Sequence, residues 1–89
     1  MKIVDGFVLR TIAGESVVVG EGLKQVDFNK LIALNSTAAF LWKEIEGKEF
    51  DEEVLSQLLI EQYRIDEATA QNDASEVIRE WHKIGLIED

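Results

Sequence analysis

The stretch Leu31–Trp42, LIALNSTAAFLW, contains the change of apolar spacing that decides the fold. Leu31–Leu34 has the pattern of a strand, and Asn35–Thr37, which follows at once, consists of residue types that favour a helix start. Beyond it, four apolar residues recur at helical spacing: Ala38, Leu41, Trp42 and Ile45. We therefore predict a strand that turns directly into a helix, and this joint fixes the angle between a sheet and a helical layer.

The sequence around and before this joint predicts three short strands. Phe7–Ile12 and Ser16–Val19 are rich in apolar and β-branched residues, and the Gly-containing segment Ala13–Glu15 between them is typical of a hairpin turn. Apolar residues alternate with polar ones toward Leu34, which suits a strand with one buried face. Three strands in sequence predict a small antiparallel β-meander, with the third strand, Phe28–Leu34, at its edge.

Three helices are predicted after the meander, so the fold class is α+β. The first helix is expected over about Thr37–Glu46, ending at Gly47, a residue suited to the left-handed position after a helix. Asp51 and Asp66 have the chemistry of N-cap residues and are expected to begin the second and third helices.

Each of the two later helices has an apolar stripe that we expect to be buried. In the second helix the stripe contains Val54, Leu55, Leu58, Leu59 and Tyr63, and in the third it contains Ala70, Ala74, Val77, Ile78, Trp81 and Ile84. Gly85 is expected to end the third helix, after which Leu86 and Ile87 fold back onto the core.

Length and composition exclude several classes of protein. The 89 residues suffice for one small domain over residues 1–89, and the absence of cysteine excludes disulfides, thiolate metal sites and thiol catalysis. The net charge of −9 opposes binding to phosphate backbones. Neither a signal peptide nor a membrane helix is recognisable, so we expect a cytoplasmic protein.

The sequence predicts no catalytic, cofactor or metal site. His82 is the only histidine, which rules out a zinc site or a Cys–His nucleophile for lack of ligands. The acidic run Glu49–Glu53 lacks the alternating oxygen ligands and the internal glycine of a calcium loop. These carboxylates are expected to be solvated around the positive end of a helix.

Two features point instead to peptide binding. The third strand is expected at an edge, where its free N–H and C=O groups can pair with a strand from another chain. Beside it, the small residues Ala70 and Ala74 would either leave a shallow groove or pack closely against the first helix. Asp73 borders the same stripe, as a polar boundary residue or as a contact to a partner.

The order and spacing of several residues resemble the PqqD superfamily, whose members include the leader-peptide recognition elements of ribosomal-peptide modification systems. The resemblance spans nearly the whole chain from Phe7 and is carried by Leu34–Asn35, Thr37–Ala38, Leu41–Trp42, Gly47, Leu58, Tyr63, Ala70, Asp73, Val77–Ile78 and Gly85–Leu86–Ile87.

This resemblance implies a winged helix-turn-helix-like fold without catalysis. Such proteins bind the leader of a precursor peptide as an added strand and present it to a modifying enzyme, often a radical S-adenosylmethionine enzyme or, in lasso-peptide systems, a leader peptidase. Carried onto this chain, the binding strand is Phe28–Leu34 and the helix face lies on the third helix. The residues implied in peptide binding are Phe28, Lys30, Leu31, Ile32, Ala33, Leu34, Ala70, Asp73, Ala74, Val77 and Trp81.

The segment before the strand-to-helix joint departs from the pattern of the founding member of the superfamily. Members of quinone-cofactor pathways carry an apolar, Pro-containing stretch before the joint, whereas this chain reads GLKQVDFNKL there and contains no proline. It therefore resembles the wider superfamily more than the founding member.

Two alternative functions are considered. One is a winged-helix DNA-binding regulator, which the net acidic third helix opposes. The other is a self-associating subunit that pairs through the strand edge, for example as a homodimer.

Overall fold

A three-stranded sheet is joined to a layer of three helices at the predicted strand-to-helix joint. The computed structural model describes residues 1–21 and 31–89. In chain order the elements are β1 (Lys2–Ile3), β2 (Phe7–Ile12), β3 (Glu15–Gly20), β4 (Leu31–Leu34), α1 (Ser36–Ile45), α2 (Glu52–Tyr63), α3 (Glu67–Lys83) and β5 (Ile87–Glu88).

The main sheet has the order β2-β3-β4, with both pairs antiparallel. In the second pair Val18 lies opposite Ile32 and Val17 lies opposite Ala33. Within the described residues β4 pairs with β3 alone, so its other side is an open edge, as expected. The first three residues of the predicted third strand, 28–30, lie outside the described residues.

A second, two-stranded sheet joins the beginning and the end of the chain. β1 and β5 are antiparallel, with Lys2 opposite Glu88 and Ile3 opposite Ile87. The N–H of Phe50 donates to the carbonyl of Met1 at 2.8 Å. The sequence did not predict this sheet, because strands of two residues are too short to show an alternating pattern.

The joint and the N-caps follow the sequence closely. The Asn35 side chain accepts a hydrogen bond from the N–H of Ala38 at 2.8 Å, so α1 begins at Ser36, one residue before the predicted start. Asp51 caps α2, because its Oδ1 accepts a hydrogen bond from the N–H of Val54. Asp66 caps α3 in the same way with the N–H of Thr69, and the N···O distance is 2.9 Å in both. Both predicted caps are confirmed.

The end of α3 is a Schellman motif centred on Gly85, which has a φ of 81°. The N–H of Leu86 donates to the carbonyl of Trp81 at 2.8 Å, and the N–H of Gly85 donates to that of His82 at 3.1 Å. This turn directs Leu86 and Ile87 into the core, where both are buried. The predicted fold-back is confirmed.

The core lies where the three helices meet one face of the main sheet. Trp42 and Trp81 lie at its centre, with Leu41, Ile45, Leu55, Leu59, Leu86 and Val18 around them. In α2 the predicted stripe is partly wrong: Val54 and Tyr63 are each 41% exposed, whereas Ser56 is buried. None of the helices among the described residues is long and apolar enough to cross a membrane.

Candidate functional site

A groove of about 480 Å³ lies between the end of β4 and the second half of α3. Its β4 side continues through the joint into the start of α1. The groove is lined by Ile32, Ala33, Leu34, Asn35, Ala38, Glu76, Val77, Arg79, Glu80, Trp81 and Ile84. An open strand edge and an apolar helix face therefore border the same depression.

Side chains alternate along β4 between two environments. Ile32 and Leu34 are half-buried and pack against the core, whereas Leu31 and Ala33 are exposed, Leu31 to 63%. A strand added beside β4 would alternate in the same way. Its side chains opposite Ile32 and Leu34 would share the face that packs against the core, next to α3.

The backbone of β4 offers hydrogen-bonding groups on its open side. In an antiparallel ladder, successive residues direct their N–H and C=O groups alternately to one neighbour and then to the other. Of the four residues Leu31–Leu34, two therefore face away from β3 and present two N–H donors and two C=O acceptors. An extended peptide can satisfy all four groups.

The floor of the groove is apolar and rests on the centre of the core. Val77 and Ile84 are half-buried, and Trp81 beneath them is 3% exposed. The Trp81 ring meets the fully buried Trp42 ring edge to face, with centroids 5.4 Å apart. The Trp42 Nε1–H donates to Glu46 at 3.0 Å, so this indole is fixed by a hydrogen bond as well as by packing.

The rim on the helix side is charged. Glu76, Arg79 and Glu80 are exposed and border the groove. No hydrogen bond or ion pair joins any of these three side chains to another residue in the described part of the chain. As far as residues 1–21 and 31–89 show, their charges are therefore available to a molecule in the groove.

The structure brings five of the predicted binding residues together in the groove: Ile32, Ala33, Leu34, Val77 and Trp81. Leu31 belongs to the same strand but faces outward. Asp73 is half-buried on α3 and does not line the groove. Phe28 and Lys30 lie outside the described residues.

Of the two alternatives for Ala70 and Ala74, the shallow groove beside the strand is wrong. Both are fully buried, with no exposed surface. They belong to the core cluster, and α3 packs mainly against α2. Small side chains at these positions let two helices approach closely. The close-packing alternative is correct about their burial, but it named α1 as the partner, whereas α3 packs mainly against α2.

Sequence reasoning did not assign six of the residues that line the groove: Asn35, Ala38, Glu76, Arg79, Glu80 and Ile84. A usable signal was present on α3, because Glu80 and Ile84 lie three and seven residues after Val77 and so share its side of the helix.

Within the described residues, no group of three or more His, Cys, Asp or Glu side chains is placed to hold a metal ion.

Comparison with known proteins fits this arrangement of elements. The sequence profile of the family described as "Coenzyme PQQ synthesis protein D (PqqD)" matches residues 15–87, which run from β3 to β5 and include both walls of the groove. The chain belongs to the PqqD family. The predicted family and the predicted α+β class, a three-stranded antiparallel sheet followed by three helices, are both confirmed.

A solved structure extends the comparison of this PqqD-family chain to the whole fold. The chain is similar to the structure described as "TbiB1 in Complex with the TbiA(beta) Leader Peptide", with a TM-score of 0.75 and 25% sequence identity. The match covers 99% of this chain and 95% of the other. No curated protein sequence matches the chain.

Proposed function

We propose that this PqqD-family chain is a non-catalytic recognition protein for the leader segment of a ribosomally made precursor peptide. The leader adds to the open edge of β4 as a further strand and lies in the groove beside α3. One observation carries the proposal: the edge of β4, unpaired within the described residues, adjoins an apolar groove of about 480 Å³. The similar fold of TbiB1, which was solved with a leader peptide bound, supports it.

The size of the edge determines how the peptide is held. Two outward-facing residues of β4 supply four hydrogen bonds, worth about 1 kcal/mol each, and a total of about 4 kcal/mol corresponds to a Kd of only about 1 mM. Burying one Leu-sized side chain contributes about 1.5–3 kcal/mol more. Micromolar binding therefore depends on leader side chains that bury apolar surface in the groove, whether whole apolar side chains or the aliphatic stems of longer ones.

The chemistry is left to a partner enzyme. Strand addition holds a short segment of the precursor, and the rest of the precursor remains free for modification. A radical S-adenosylmethionine enzyme or a leader peptidase would act on that free part while the PqqD-family chain keeps it nearby, raising its effective concentration.

Titration of the isotopically labelled protein with the leader of the precursor peptide encoded nearest to its gene tests the proposal. The amide resonances of residues 31–34 and 76–84 should shift, and those of α2 should not. A scrambled leader of the same composition serves as the control. Unchanged resonances in β4 at saturating leader would reject strand addition.

Self-association through the same edge would be a competing use of β4. Light scattering with and without the leader distinguishes the two. Strand addition predicts a rise in mass equal to one peptide per chain. A dimer that the leader does not dissociate would mean that the edge is already occupied by a second copy, and this would contradict the proposal.

A further inference from the structure

The helix side of the groove is predominantly acidic. Glu76 and Glu80 both line it and lie one turn apart on α3. Viewed down the axis of α3, Glu76 lies about 100° and Glu80 about 60° from Val77, which forms part of the groove floor. Arg79 lies about 160° from Val77, almost on the opposite side of the helix. The two carboxylates therefore stand nearer to the floor than the guanidinium does.

Within residues 1–21 and 31–89, no side chain neutralises these two carboxylates. Neither Glu76 nor Glu80 forms a hydrogen bond or ion pair with another side chain in the described part of the chain. The whole chain has a net charge of −9, so its field reinforces the local negative potential. An acidic ligand would be repelled from this rim, and a basic ligand attracted.

We infer that the groove takes an extended peptide with Lys or Arg side chains at alternate, groove-facing positions. The inference rests on the proposed function and names the chemistry of its ligand. Alternate residues of a strand are about 6.7 Å apart, close to the rise of about 6 Å that separates Glu76 from Glu80 along α3. The aliphatic stems of such side chains pack on Val77 and Ile84, while their charged ends reach the carboxylates.

The strength of this selection follows from the exposure of the rim. Each exposed ion pair strengthens binding about two- to fivefold, and added salt weakens it. The backbone hydrogen bonds and apolar contacts supply most of the affinity, and the two carboxylates discriminate among peptides that already fit the groove.

Selection from a display library of random decapeptides tests the inference without knowledge of the natural leader. Two double variants carry the same change in net charge: Glu76→Gln with Glu80→Gln at the rim, and Glu44→Gln with Glu61→Gln elsewhere. Glu44 on α1 and Glu61 on α2 are exposed and do not line the groove. Both variants replace exposed side chains that have no hydrogen bond or ion pair within residues 1–21 and 31–89, so both should fold.

Peptides that bind the unmodified protein and shift the β4 amides should be enriched in Lys or Arg at every second position. The rim variant should weaken their binding about threefold or more at low salt, and the control variant should leave it within about 1.5-fold. Binders without this enrichment, or equal weakening by both variants, would overturn the inference and leave the proposed function standing. If no selected peptide shifts the β4 amides, both are overturned.

Discussion

The rings of Trp42 and Trp81 meet edge to face, with centroids 5.4 Å apart and planes at 79° to each other. Trp42 follows the strand-to-helix joint on α1, and Trp81 lies under the groove on α3. Such a pair contributes about 0.5–1.5 kcal/mol beyond the burial of its surface. The contact therefore ties the position of the joint to that of the groove floor.

Replacing Trp81 should remove much of the stability of the fold. Trp81→Ala is expected to cost about 3–5 kcal/mol, a large fraction of the roughly 4–13 kcal/mol expected for a chain of this length. Trp81→Phe keeps an aromatic ring against Trp42 and should cost less than half as much. Urea denaturation followed by circular dichroism measures both. A loss below about 1 kcal/mol for Trp81→Ala would contradict the central role of this pair.

Glutamate substitutions on α3 should distinguish residues that line the groove from residues that belong to the core. Val77 is half-buried at the groove, so Val77→Glu should preserve the fold. It should weaken leader binding about tenfold or more, because it removes the apolar floor against which the leader side chains pack. Ala74 is fully buried, and Ala74→Glu should unfold much of the protein, since an unpaired buried carboxylate costs several kcal/mol.

Val54→Glu is the matched control for these two variants. Val54 is 41% exposed on α2 and does not line the groove, so this variant should fold and bind normally. Circular dichroism and the leader titration are measured on all three proteins. Normal folding of Ala74→Glu together with lost binding would place Ala74 on the groove after all.

Amide exchange should report the open edge of β4 directly. In the free protein, two alternate amides among residues 31–34 should exchange rapidly, because only the other two can donate to β3. Bound leader should slow the two rapid amides by at least about tenfold. Exchange that is already slow at all four positions in the free protein would mean that the edge is covered.

The cap of α3 should make stability depend on acid pH. The side-chain hydroxyl and the backbone N–H of Thr69 donate to the Asp66 carboxylate and lower its pKa from the usual 3.8. Because the pKa of Asp66 is lower in the folded state, its ionised carboxylate stabilises the fold at pH values above the pKa that it has in the unfolded chain. This contribution disappears as the pH falls through the folded-state pKa.

Asp66→Asn isolates this contribution, because Asn is an equally good N-cap residue that does not titrate. The unmodified protein should be more stable than the variant at about pH 6, and the difference should decrease as the pH is lowered below 3.8. The other acidic side chains titrate in both proteins and cancel in the comparison of urea midpoints. If the difference in stability between the two proteins stayed the same as the pH was lowered, the Asp66 carboxylate would not be the source of the pH dependence.

The parts of the fold that depend on local chemistry were predictable from the sequence. Asp51 and Asp66 have side chains that can accept the first free N–H groups of a helix, and each does so. Gly85 can adopt a positive φ without strain, so it marked the end of α3 and the return of Leu86. The open edge of β4 followed from strand order.

The assignments that failed depend on how elements pack. The apolar residues of α2 cover more than half of its circumference, so spacing alone did not show that Leu55 and Leu59 face the core while Val54 and Tyr63 are partly exposed. A small residue such as Ala74 suits either an open groove or a close helix contact, and only the position of α2 decides between them.

The β1–β5 ladder has a consequence for engineering. Lys2 and Glu88 are directly opposite each other, so their Cα atoms are about 5 Å apart. A protein attached ahead of residue 1 or after residue 89 would emerge from nearly the same point. The domain can therefore be inserted into a surface loop of a host enzyme through two short linkers, and a circular permutant opened at the β2–β3 turn should keep the groove intact.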